Sequence, residues 1–173
     1  MKELDDSKLF DIYRSGNEEA FVILYERYKP KLYLFLRNML NYKEPEDIND
    51  YLQDVFIKVI KNANKYKKKY AFSTWIYRIA RNYVYDIYRK NGKIVYDTDK
   101  VDEKFSVDHS RDDKESILYY LNKLSLEQRE IILLRVEGFS FKEIAKMLFI
   151  PEKTAITRNA RGIKKLKEFL NEN

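Results

Sequence analysis

From Leu9 to Leu170 the apolar side chains return every three or four residues, and no Val/Ile-rich alternating run of the kind that makes a strand interrupts them. A three-and-four spacing gathers apolar groups on one stripe of an α-helix. With only four Gly and three Pro in 173 residues, the chain has few places to break. The expected fold is therefore all-α, with helix boundaries at the few turn-forming residues present.

Leu9, Phe10, Ile12 and Tyr13 form a first amphipathic stretch over 7–15, and Ser15-Gly16-Asn17 separates it from a second over 18–28 carrying Ala20, Phe21, Leu24, Tyr25 and Tyr28. Pro30 is expected to open a third helix, because its fixed φ and missing N–H suit a first turn. That helix carries Leu32, Phe35, Leu36, Met39 and Leu40. These residues read as core.

The helix expected over about 46–62 buries Ile48, Leu52, Val55, Phe56 and Val59 and lines up Asp47, Asp50 and Asp54, with Gln53 beside them, on another face. Carboxylates three and four residues apart repel by a few tenths of a kcal/mol per pair. A cationic partner would relieve that repulsion; the plainer reading is a solvated acidic face offset by Lys58.

The charge then reverses. Residues 61–90 hold nine Lys/Arg and one acid, Asp86. Lys65, Lys67, Lys68 and Lys69 alternate with Tyr66, Tyr70 and Phe72 ahead of a helix read from Thr74, which Ser73 or Thr74 could cap. Ile76, Ile79, Ala80, Tyr83 and Ile87 form its expected buried stripe, with Arg78, Asn82, Tyr85 and Arg89 on another face and Arg81 beside them. Cations suit phosphates, and aromatics can stack on unpaired bases, so this stretch reads as a single-strand surface.

Residues 93–114 read as a flexible acidic linker. Residues 1–90 hold 18 Lys/Arg against 13 Asp/Glu, residues 91–115 hold 5 against 8, and residues 116–173 hold 11 against 7. Two basic blocks around an acidic strip favour two polyanion-binding units over one basic globule. The linker's roughly 22 residues would reach about 70 Å extended and average about 25 Å as a coil. His109, the one histidine, has no ligand set or catalytic partner there and is given no role. The expected units are 1–92 and 115–173.

In the second unit, which begins near Ser116, Ile117, Leu118, Leu121 and Leu124 are apolar. Ser125-x-x-Gln128 and Ser140-x-x-Glu143 are two capping-box patterns, the first opening a helix that Gly138 ends. After the second, a short helix to Leu148, the turn Phe149-Ile150-Pro151 and a long basic helix to about Leu170 make a helix-turn-helix pattern. On a wheel of the last helix Thr154, Thr157, Arg158, Arg161 and Lys165 fall within about 80°, with Ile156, Ala160, Ile163, Leu166 and Leu170 opposite. Arg and Thr at such positions suit base edges and phosphates of a major groove.

The absence of cysteine removes disulfides, Cys-based zinc sites and thiol nucleophiles, and no phosphate loop, metal set or nucleophile–base pair is present. No enzyme activity, metal or cofactor is therefore expected. No run approaches the roughly 20 apolar residues of a membrane span, and the N-terminus lacks a signal-peptide core, so a cytoplasmic protein is expected.

Three blocks, in order, resemble the bacterial sigma-70 family. Asp47-Ile-Asn-Asp-Tyr-Leu-Gln-Asp-Val-Phe56 is similar to its polymerase-binding segment, and Phe72-Ser-Thr-Trp-Ile-Tyr-Arg-Ile-Ala-Arg-Asn82 to its promoter-melting, −10-reading segment. Gln128–Arg135, Gly138–Ala145 and Thr154–Arg158 are similar to its −35-reading domain. Their order and the chain length resemble the extracytoplasmic-function (ECF) group, which keeps two units only.

The resemblance implies a factor that binds core RNA polymerase and directs promoter-specific initiation. Asp47, Asp50, Leu52, Gln53, Asp54 and Phe56 would dock on the clamp helices of the largest subunit. Lys65, Lys67, Lys68, Phe72, Trp75, Arg78, Arg81, Asn82 and Arg89 would hold the opened −10 strand, with the 62–73 loop taking an extruded base. Lys153, Thr154, Thr157, Arg158, Arg161 and Lys165 would read the −35 duplex. Opening would need no ATP, since strand binding offsets stacking of about 1.4 kcal/mol per step. An anti-sigma factor is the further partner implied.

A stand-alone helix-turn-helix regulator is the alternative, but it leaves the acidic helix and the Trp75 block unexplained. Departures from the family pattern are Ile156 in place of a basic residue, Asn159 in place of an apolar one, and Phe149 in place of a turn glycine. The first two allow a recognition helix rotated about its axis. Phe149 would need a positive φ, and Gly162 inside the helix should cost about 1 kcal/mol relative to Ala.

Overall fold

The computed structural model describes residues 1–40, 45–91 and 113–172. The linker expected over 93–114 lies outside these residues except for its last two, and His109 lies outside them altogether. Among the described residues the secondary structure is entirely helical: α1 Asp6–Arg14, α2 Glu18–Met39, α3 Pro45–Lys61, a 3-10 turn Ala63–Lys65, α4 Phe72–Lys90, α5 Asp113–Asn122, α6 Leu126–Val136, α7 Phe141–Leu148 and α8 Glu152–Asn171. By contacts the chain divides into two units, Met1–Arg37 with Lys43–Ile87, and Asn38–Tyr42 with Tyr88–Asn173.

In the first unit, Asp5 caps α1 by accepting a hydrogen bond from the Lys8 N–H. Gly16, at φ +107°, closes the helix and starts the chain toward α2. Pro30 does not open a helix, contrary to the sequence expectation, but lies inside the continuous α2. The proline removes one hydrogen bond from the ladder. Around it Leu24, Tyr28, Leu32, Phe35 and Leu36 are all buried on one stripe, which holds the helix together through tertiary packing. α3 carries Pro45 at its first position and buries Ile48, Leu52, Val55, Phe56 and Val59, the stripe its sequence specifies.

The core of this unit is aromatic. Phe72, at the first residue of α4, packs its ring 4.8 Å from Phe10 and 5.9 Å from both Tyr66 and Trp75 (centroid distances). Tyr66 is buried too, with its hydroxyl 2.8 Å from that of Ser7 and donating to the Tyr70 carbonyl. The buried stripe of α4 is Phe72, Ile76, Tyr77, Ala80 and Val84 with Thr74 and Tyr85, rotated from the expected one. Ile79, Tyr83 and Ile87 are only half-buried. Phe72, packed against Phe10, Tyr28, Tyr66 and Trp75, anchors this face; the helix also starts two residues earlier than expected, so Ser73 and Thr74 sit inside its first turn, and the Trp75 N–H reaches the Ala71 carbonyl.

In the second unit α5 begins at Asp113, three residues before the expected start. Its Leu118 and Leu121 are buried with Leu124, while Ile117 is exposed. The buried Arg129 of α6 donates from Nε to the Leu121 carbonyl (2.9 Å) and from a terminal nitrogen to that of Leu124 (3.3 Å), closing the end of α5 with a charge-assisted pair. Both capping boxes form as their sequences specify, Ser125 with Gln128 and Ser140 with Glu143. Ile131, Leu134, Ile144, Met147 and Ala155 make the core against which α6, α7 and α8 pack.

Candidate nucleic-acid interface

The end of α3, the turn after it and the outer face of α4 enclose an open depression of about 460 Å³. Lys58, Lys65, Lys67, Lys69 and Arg78 line it with Tyr70, Trp75 and Asn82, against one carboxylate, Asp86. Tyr70 carries cations over its ring, Lys69 Nζ at 4.9 Å and Arg78 at 5.5 Å from the centroid. Five cations, three half-buried aromatic rings (Tyr83 is the third) and an exposed amide suit a strand that offers phosphates and unstacked bases.

The fold thus gathers five of the residues nominated for the −10 strand, namely Lys65, Lys67, Trp75, Arg78 and Asn82. The other four are placed elsewhere. Phe72, nominated as a DNA-contacting residue, is 1% exposed and packs in the core of the unit. The aromatic interleaving read as a stacking platform is, for Tyr66 and Phe72, the unit's own hydrophobic anchoring. Lys68 forms an ion pair with Asp11, which also holds Arg14. Burial raises the Asp11 pKa, but the Lys68 and Arg14 contacts outweigh it and hold the carboxyl below its usual value. Arg81 lies 3.8 Å over the Tyr85 ring, and Tyr85 is buried rather than on the exposed face read from the sequence. Arg89 is exposed near the end of α4.

The sequence alone gives Lys58 only the role of offsetting the acidic face and places Tyr83 only on a buried stripe. Their entry into the depression depends on α3 packing beside α4, which no single-helix wheel contains. The Tyr83 hydroxyl donates to Asp54 Oδ2 at 2.6 Å. Burial, then this bond to a carboxylate, drives the Tyr83 pKa well above that of a free phenol.

On the outer face of α3, Asp47, Asp50, Gln53 and Asp54 are exposed together. Leu52 and Phe56, nominated with them, are 3% and 4% exposed. They line an apolar groove with Phe21, Tyr25, Ile57 and Ile60, and Asp50 and Gln53 stand on its rim. Ile57 and Ile60, at 40% and 44% exposure, add an apolar component to the acidic face that the helix wheel alone did not assign.

In the second unit Phe149 adopts φ 54° and ψ 44°, the left-handed turn expected at that position, and links α7 to α8. The orientation of α8 corrects the sequence reading. Its packed residues are Ala155 and Gly162, whereas Ile156, Ala160, Ile163 and Leu170, which the wheel sets opposite the polar cluster, are exposed. The reason is Gly162: a Cβ there would come within 2.8 Å of Ile132 Cδ1, so the glycine marks the closest approach of α8 to α6. Of the nominated residues, Lys153 and Arg161 are exposed, Thr154, Thr157, Arg158 and Lys165 half-buried. Arg158 turns toward α6, 3.7 Å from a Glu127 carboxylate oxygen. Lys164, not nominated, is exposed on the outward face.

Among the described residues no group of three or more His, Asp or Glu is placed to hold a metal. No described helix is long and apolar enough to cross a membrane.

Comparison with known proteins agrees with this architecture. The Sigma-70 region 2 family matches residues 24–94, and the Sigma-70, region 4 family matches residues 114–166. ECF RNA polymerase sigma factor SigX of Bacillus subtilis is 30% identical over 88% of this chain and 84% of its own. RNA polymerase sigma factor CarQ of Myxococcus xanthus is 30% identical over 92% and 94%. The structure of CnrH in complex with the cytosolic domain of CnrY superposes with a TM-score of 0.75 at 25% identity, covering 97% of this chain and 98% of CnrH. That of RpoE from Bartonella quintana, in complex with the anti-sigma factor NepR, shares the fold at TM-score 0.72 and 22% identity, over 90% and 98%. An all-α pair of units with matches to both sigma regions in order identifies the chain as a member of the ECF group of sigma-70 RNA polymerase sigma factors, a protein that directs RNA polymerase to promoters.

Proposed function

We propose that the acidic face of α3 and the groove beside it dock on the clamp helices of the core polymerase's largest subunit. Asp47, Asp50, Gln53 and Asp54 meet cations, while Leu52 and Phe56 act from beneath as the groove's floor. The basic depression holds the opened non-template strand of the −10 element, and the outward face of α8 enters the −35 major groove. Residues 1–92 and 115–173 act as separate modules tethered by 93–114. CnrH is solved with a cytosolic protein domain bound, and an anti-sigma factor is the corresponding partner for this chain.

The observation that supports this reading best is the convergence on one depression of five cations, Tyr70 and Trp75 from α3, the following turn and α4. A stand-alone operator-binding protein has no use for a strand-sized basic depression next to an acidic apolar groove. Co-purification with core polymerase, followed by run-off transcription, tests it. Asp50→Arg should lose core binding and transcription together with thermal stability unchanged. Unaltered core binding would remove α3 as the docking face.

A further inference from the structure

The first two turns of α8 carry one large exposed apolar side chain, Ile156, at 45% exposure. A single exposed isoleucine normally calls for no explanation. Beside it on the same side of the helix Glu152, Lys153 and Ala160 are exposed, and Arg161 and Lys164 are exposed further along α8. The packing of Gly162 against Ile132 and Gln128 holds that orientation, because turning Ile156 inward would carry Gly162 away from α6. Ile156 is thus an exposed apolar point beside Lys153 on a basic helix, on the part of a recognition helix that reaches base edges.

The major groove offers such a residue one matching feature. Base edges there present hydrogen-bonding atoms at every pair, and only thymine adds an apolar C5 methyl. An isoleucine laid over guanine O6 or cytosine N4 would leave a donor or acceptor without a partner, at a free-energy cost. We propose that Ile156 is a specificity-determining residue that reads a thymine methyl in the upstream promoter element. The inference rests on the reading of α8 as the duplex-facing helix, and it deepens that reading by assigning a base to a residue.

The test uses the full chain with core polymerase. Duplexes randomised across the upstream element are selected for holoenzyme binding, and each enriched thymine is then replaced by deoxyuridine, which deletes the methyl alone. One position should lose about fourfold in affinity, as burial of a single methyl predicts. Ile156→Ala should abolish the thymine-over-uracil preference at that position and no other, with an unchanged melting temperature because the side chain is exposed. A uracil penalty that survives in Ile156→Ala overturns the proposal. So does the absence of any uracil penalty while Arg161→Ala still weakens binding, an outcome that leaves α8 on the duplex. If neither uracil nor Arg161→Ala changes upstream binding, both the proposal and the assignment of α8 fall.

Discussion

Ile132 Cδ1 stands 2.8 Å from the place a Cβ on Gly162 would occupy, with Gln128 Cβ at 3.3 Å from the same point. The glycine therefore has a packing role as well as the helix-propensity cost visible in sequence. Alanine at 162 would gain about 1 kcal/mol of propensity. It would also push aside the end of a half-buried, flexible Ile132 side chain. These terms nearly cancel, so Gly162→Ala should leave the melting temperature within a few degrees of wild type. Gly162→Leu has no room to relax and should lose about 1–3 kcal/mol, as overpacking does. Thermal unfolding of both variants measures the difference.

Phe149 stands in a turn that occurs three times among the described residues. After α1, α6 and α7 the chain ends the helix with the same backbone bond, Asn17 N–H to Ile12 C=O, Phe139 N–H to Leu134 C=O and Ile150 N–H to Ala145 C=O. The left-handed residue is Gly16, Gly138 and, in the third case, Phe149. A bulky residue there costs roughly 1–2 kcal/mol, while glycine costs about 0.5–1 kcal/mol of extra chain entropy. At 81% exposure Phe149 recovers little of this by burial. Phe149→Gly should therefore raise stability by up to about 1 kcal/mol in denaturant unfolding.

How far the sequence carried depended on whether a feature is local. The capping boxes at Ser125 and Ser140, the stripe of α3 and the positive φ of Phe149 involve neighbours within four residues, and all stood as read. The faces of α4 and α8 did not, because each was set by one contact with a distant element: Phe72 against Phe10, and Gly162 against Ile132. A helix wheel counts a glycine as neutral and cannot see that a backbone approaches it. It likewise cannot bring Lys58 of α3 beside Arg78 of α4, which is why Lys58 and Tyr83 enter the basic depression only once the helices are packed.

Tyr28 and Tyr83 should respond abnormally to alkali. Burial, then a hydrogen bond to Asp6, drives the Tyr28 pKa far above the usual phenol value, and burial with the Asp54 bond does the same for Tyr83. The folded state therefore keeps protons that the unfolded chain loses near pH 10. Stability from these groups is fully present below that pH and falls as pH rises above it. In a spectrophotometric titration of the 15 tyrosines, a fraction should ionise only as the protein unfolds, and Tyr83→Phe should shrink that fraction.

Phe72 and Lys67 lie five residues apart and separate a fold role from a strand role. Phe72→Ala empties a fully buried site among Phe10, Tyr28, Tyr66 and Trp75 and should cost about 3–5 kcal/mol. Phe72→Leu, which keeps an apolar side chain there, should fold and bind single-stranded −10 DNA as part of holoenzyme with unchanged salt dependence. Lys65→Ala and Lys67→Ala remove exposed side chains and should leave the melting temperature alone. If each contacts one phosphate, each should lower the slope of log affinity against log salt by about 0.7, the value for single strands. Measuring that slope for the four variants distinguishes the roles. A Phe72→Leu protein that is folded but loses strand binding would place this ring in contact with the bases, against its burial in the core.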